Sequence, residues 1–167
     1  MNKAISILIC CCLPLVALAS ESFELTDWLY WQDGPATKQI RAIYNEVNAA
    51  EKAGKLKKEY RKCELYDGSF IIEGMLYKDQ NGVVRKYAVI SGSDDSIQRS
   101  EYYYDAKGIP RFTYRYNGSV YESKKWDRIY FDEKGEHLCT LHKEEGPGNL
   151  KDIIKNPAEH YADLGKK

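Results

Sequence analysis

The sequence predicts an α+β fold: an N-terminal amphipathic helix packed on a meandering antiparallel sheet of about six strands, closed by one disulfide. Three observations carry this. Apolar residues recur at helical spacing over residues 35–53, turn signals fall about every 12 to 14 residues beyond them, and two cysteines bracket the turn-rich half.

The first nineteen residues precede that fold. Asn2 and Lys3 form a short cationic start, Ile5 to Leu18 is apolar, and Ala17-Leu18-Ala19 offers a small-x-small cleavage site before Ser20. This is the pattern of a secretory signal peptide, too short for a membrane span. Cleavage between Ala19 and Ser20 removes Cys10, Cys11 and Cys12 and leaves residues 20–167 as a single domain. A lipoprotein reading fails, because Ile9 precedes Cys10 and Cys11 precedes Cys12, where a small residue is required. The expected location is therefore periplasmic or secreted.

Residues 21–34 contain the aromatic knot Trp28-Leu29-Tyr30-Trp31, which has neither a helical nor a strand period and is expected to bury itself against the sheet. The helix follows at about 35–53. Ile40, Ile43, Tyr44, Val47 and Ala50 share one face, while Arg41, Asn45, Asn48, Glu51 and Lys52 take the other. Asp33 or Thr37 is placed to cap its start, and Gly54 suits the left-handed position just past its end. The basic stretch Lys55 to Lys62 reads as a solvent-facing linker.

A β-meander is expected over about 63–143. Tyr77 to Gly82, Tyr103 to Gly108 and Tyr130 to Gly135 share the form aromatic-x-Asp-x-x-Gly, their aspartates 26 and 27 residues apart. Further turn signals lie at Tyr66-Asp67-Gly68-Ser69, Ser91 to Asp95 and Tyr116-Asn117-Gly118-Ser119. Asp bonds the backbone two residues on and Gly supplies positive φ, so turn chemistry accounts for the recurrence. In these turn residues the hairpins resemble the short tyrosine- and glycine-rich repeats of many secreted bacterial proteins. Residues 146–167 read as an irregular or short helical tail.

The middle hairpin permits a register. A three-residue loop with Gly108 left-handed sets Asp105 opposite Ile109, Tyr104 opposite Pro110 and Tyr102 opposite Phe112. Tyr102, Tyr104, Phe112, Tyr114 and Tyr116 then form the core face. Arg99, Glu101, Tyr103, Arg111, Thr113 and Arg115 face outward. Cys63, before the first strand, and Cys139, in the last, are expected to form the disulfide, worth about 4–5 kcal/mol by loop entropy.

Charge excludes a general nucleic-acid binder: 25 basic residues meet 25 acidic ones, and only Lys3 of the basic set lies in the leader. The chemistry-bearing residues form no recognised motif. His137 and His142 have opposite parity on one strand and so are expected on opposite faces. His160 stands in the tail beside Glu159 and Tyr161. No Gly-x-Ser-x-Gly occurs, the acidic pairs lie at turns, and Asp79 to Gly82 supplies only part of a calcium loop. No catalytic residue, metal or cofactor is assigned.

What remains is surface. With 14 Tyr, 3 Trp and 4 Phe the chain is aromatic-rich, and Arg99, Tyr103, Arg111 and Arg115 on one sheet face compose a candidate contact patch. The leading functional expectation is an exported, non-enzymatic binding protein, such as an inhibitor or immunity-type factor acting on a protein of the envelope or outside the cell. The alternative is a carrier or sensor holding a small apolar or envelope-derived ligand between helix and sheet. A weaker alternative is a hydrolase whose residues converge from distant strands.

Overall fold

The computed structural model describes residues 34–121, 125–142, 154, 156–164 and 166. The leader, its cleavage site at Ala19-Ser20 and the aromatic knot lie outside the described residues. Helix α1 (Pro35–Lys52) starts on Pro35 at its first turn, where a missing N–H and fixed φ cost nothing. Its N-cap is Gly34, which gives no side-chain cap, so Thr37 does not serve as one; Thr37 is buried instead. Gly54 adopts φ +67 and donates to Glu51 O, while Lys55 N reaches Ala50 O, a left-handed stop.

Among the described residues seven strands follow: β1 (Lys57–Leu65), β2 (Phe70–Lys78), β3 (Val84–Ser93), β4 (Ser96–Tyr104), β5 (Pro110–Ser119), β6 (Lys125–Phe131) and β7 (His137–His142). They form one sheet in sequential order, each antiparallel to its neighbour. The basic stretch read as a linker is mostly β1. It is an edge strand, and its Lys57, Lys58, Arg61 and Lys62 are the charges that discourage edge-to-edge pairing. The turn expected at Asn117-Gly118-Ser119 is instead the end of β5.

Helix α2 (Pro157–Asp163), capped by the Asn156 side chain, covers the opposite face of the sheet from α1. Ile40 and Val47 of α1 pack with Tyr103 and Phe112. On the other face Leu76, Tyr87, Tyr102 and Tyr104 pack with Ile154, Tyr161 and Leu164. The run Tyr102-Tyr103-Tyr104 therefore has no wet side: the three rings are 4%, 1% and 0% exposed. Several contacts hold α2 down. Arg61 donates to Tyr161 O and Ala162 O, Tyr87 Oη meets His160 Nδ1 at 2.9 Å, and Tyr104 Oη donates to Ile154 O.

The three aromatic-x-Asp-x-x-Gly loops are alike in detail. In each, the Asp Oδ1 accepts the N–H groups two and four residues on, at 2.8–3.0 Å, and the Gly sits at φ +80. Asp105 faces Ile109 and Tyr104 faces Pro110, but a second irregularity follows at once. Arg111 is left without a partner residue in the ladder, and Tyr103 faces Phe112. Arg85 and Leu138 occupy the same place in the other two hairpins. Each lies six residues past its aspartate.

This bulge overturns the expected register. Phe112 pairs with Tyr103 rather than Tyr102, and Thr113 pairs with Tyr102. Arg111 and Arg115, placed outward from the sequence, are 6% and 9% exposed, and Thr113 is 1% exposed. Both faces of the sheet are covered here, so the outward face assumed for them does not exist.

The disulfide is also corrected. Cys63 lies within β1 and Cys139 in β7, at opposite edges of the sheet, and both thiols are free. Six strand spacings separate them, roughly 28 Å, whereas a disulfide needs Cα atoms within about 7 Å. Cys139 is buried, which pushes its thiol up to about 11. Alkylation of the native protein at neutral pH should therefore label Cys63 first and Cys139 slowly. A Cys63–Cys139 linked peptide in a non-reducing digest would show that the sheet order is wrong.

Candidate functional site

Alternation along β5 sends Phe112, Tyr114 and Tyr116 toward α1. On one side β4 contributes Tyr103, Glu101 and Arg99, which face those three rings in register. On the other, β6 contributes Tyr130, Arg128 and Trp126. The inner end is closed by packed rings: Phe112 lies 5.7 Å from Tyr103, 5.2 Å from Tyr130 and 5.6 Å from Tyr44 of α1, between centroids.

Beside Phe112 there is open space between helix and sheet. The result is an open cleft of about 700 Å³, walled by Arg41, Tyr44 and Asn45 of α1 and floored by Tyr114 and Tyr116. Arg99 and Arg128 stand on either side of that floor, with Glu101 between Arg99 and the closed end. Among the described lining residues there are three guanidiniums, of Arg41, Arg99 and Arg128, and one carboxylate, of Glu101, in a chain whose formal net charge is zero.

Glu101 is already satisfied. Its carboxylate accepts from Tyr103 Oη at 2.8 Å and from Arg99, and Lys86 Nζ lies 4.0 Å away. Lys86 is itself fixed by Glu51 at 2.7 Å and Asn48 at 3.3 Å, both on α1. Burial alone would raise the Glu101 carboxyl; Lys86, the Tyr103 hydroxyl and Arg99 outweigh it and hold the group below its ordinary value. Burial, then the Glu101 charge, raises the Tyr103 phenol far above the usual range, so it stays a donor. Arg128 rests over the Trp126 ring at 4.8 Å, and among the described residues it meets no carboxylate.

Of the four residues expected to form a contact patch, two come to this cleft. Arg99 lines it with half of its side chain exposed, and Tyr103 supports its inner end through Glu101 and Asn48. Arg111 is enclosed in its bulge, donating to Phe131 O and lying 3.7 Å from Asp105. Arg115 lies on the α2 side of the sheet, 3.6 Å from Asp127.

Sequence reasoning missed Arg41, Asn45, Arg128 and Tyr130 as lining residues. The helical period puts Arg41 and Asn45 on the wet side of α1, but they flank its apolar stripe and line the cleft. Tyr114 and Tyr116 were read as core; their alternation was visible, but not the gap above them.

The histidines lie elsewhere. The Leu138 bulge lies between His137 and His142, so strand parity does not carry across it, and the His142 side chain lies outside the described residues. His137 bonds Thr140, and His160 bonds buried Tyr87. Among the described residues no group of three His, Cys, Asp or Glu side chains is placed to hold a metal ion, and no helix is long and apolar enough to cross a membrane.

No protein-family model, curated protein or solved structure matches the chain.

Proposed function

We propose that this chain is an exported, non-enzymatic binding protein that holds its ligand between α1 and the sheet. The observation that carries the reading is the open cleft of about 700 Å³, a volume within the range of small-molecule sites, with an aromatic floor and a few charged side chains. A flat arginine and tyrosine face for blocking another protein has less support, since Arg111 and Arg115 are buried. Export rests on the leader and its Ala19-Ser20 junction.

Asn45→Trp tests this, because an indole at that exposed α1 position fills the cleft while replacing no core residue. Native mass spectrometry of residues 20–167 mixed with envelope extract should show small-molecule adducts on the wild type and none on Asn45→Trp, at an unchanged melting temperature. Equal adducts on both proteins would place the binding elsewhere.

A further inference from the structure

The lining of the cleft specifies more than its volume does. Arg99 is tied to Glu101, but the glutamate does not use all of its donors. Glu101 is 11% exposed in its side chain and also has Tyr103 and Lys86 beside it, whereas the Arg99 side chain is 50% exposed and donates to Glu101 through Nε and one Nη, leaving its remaining N–H groups to meet an oxyanion in the cleft. Arg128, across β5, lies over an indole face rather than against a carboxylate. The two strands lie one spacing, about 4.8 Å, on either side of β5, well within the reach of two arginine side chains bent toward one point. That point lies above Tyr114 and Tyr116, whose faces suit an apolar or aromatic body.

We propose that the cleft takes a small amphipathic organic anion, its carboxylate, phosphate or sulfonate head held by Arg99 and Arg128 and its apolar or aromatic body lying on Tyr114 and Tyr116. Charge complementarity argues for the head: guanidinium forks match planar oxyanions, and among the described lining residues the one carboxylate, Glu101, is already engaged. The rings argue for the body, and the volume argues for a molecule rather than a long polymer. Arg41 lines the α1 wall of the same cleft. This inference rests on the cleft being the binding site, so its test separates the two.

Isothermal titration is done with naphthoate, its neutral isostere naphthamide, inorganic phosphate and a tetraglutamate peptide, against wild type, Asn45→Trp and the Arg99→Gln/Arg128→Gln double variant. Wild type should bind naphthoate at least about tenfold more tightly than naphthamide. The double variant should lose that preference while keeping its affinity for naphthamide and its melting temperature; if it folds poorly, Arg128→Gln alone, at an exposed position, gives the same reading. Equal binding of the acid and the amide, both lost in Asn45→Trp, would overturn the anion while leaving the cleft. Phosphate binding as tightly as naphthoate would overturn the amphipathic body. Tetraglutamate binding more tightly than naphthoate would make the occupant an acidic peptide. Naphthoate bound equally by wild type and Asn45→Trp, or no probe bound at all, would overturn cleft and anion together.

Discussion

Phe112→Ala is expected to destabilise the protein by about 3–5 kcal/mol, the transfer term for a buried ring plus the cavity it leaves. Phe112 is 8% exposed and touches Tyr44, Tyr103 and Tyr130, so three other rings lose a packing partner with it. It is also where α1 meets the sheet, which limits how far the site can collapse: Ile40 and Val47 hold the helix from the same cluster. Equilibrium urea unfolding of wild type and variant measures the effect. A loss below about 1 kcal/mol, the range of a surface substitution, would mean that α1 does not pack there. The same change opens the closed end of the cleft, so naphthoate binding should weaken with it.

The helix, the meander and the three Asp-x-x-Gly loops were legible because each is written in local chemistry. Helical spacing, a Pro at the first turn and a Gly past the last fix α1 within a few residues. Asp105 bonding Lys107 N and Ile109 N is decided by side chains five residues apart at most. The register was not legible in the same way, because the bulge after each loop changes which face every later residue meets. A clean sorting of Tyr102 and Tyr104 with Phe112 looked favourable only if one face was wet. Three consecutive buried tyrosines argue the contrary, since continuous apolar runs mark a strand covered on both faces. The disulfide failed for a global reason: a meander that does not close keeps its first and last strands at opposite edges.

The candidate site was half legible. Arg99 and Tyr103 were singled out, but as members of a flat face shared with Arg111 and Arg115. A cleft depends on how helix and sheet pack against each other, and here it opens beside the ring stack at Phe112. No spacing within β4 or β5 encodes it. The sequence carries one further signal: the arginine six residues after the aspartate recurs in the first two hairpins, Arg85 and Arg111, and becomes Leu138 in the third.

That recurrence has a structural consequence. Arg85 Nε donates to Tyr104 O and Arg111 Nε to Phe131 O, in each case the carbonyl just before the next hairpin's aspartate. Each also lies near its own aspartate, at 3.8 Å from Asp79 and 3.7 Å from Asp105. The bulge thus presents a side chain that links one hairpin to the next, and the third hairpin has no such successor among the described residues. Arg111→Ala is expected to cost about 2–3 kcal/mol, because it removes a charge-assisted bond to a buried carbonyl and uncovers a partly buried aspartate. The loss is smaller than for a fully enclosed ion pair, since Asp105 keeps its two backbone N–H donors. Arg111→Lys should restore little of it, as an ammonium lacks the fork that reaches carbonyl and carboxylate at once. Chemical denaturation of the two variants gives the energies, and amide exchange locates them. Protection should fall at the β4–β5 and β6–β7 hairpins together while the β1–β2 turn stays unchanged. Loss confined to the β4–β5 hairpin would show that the arginine braces only its own loop.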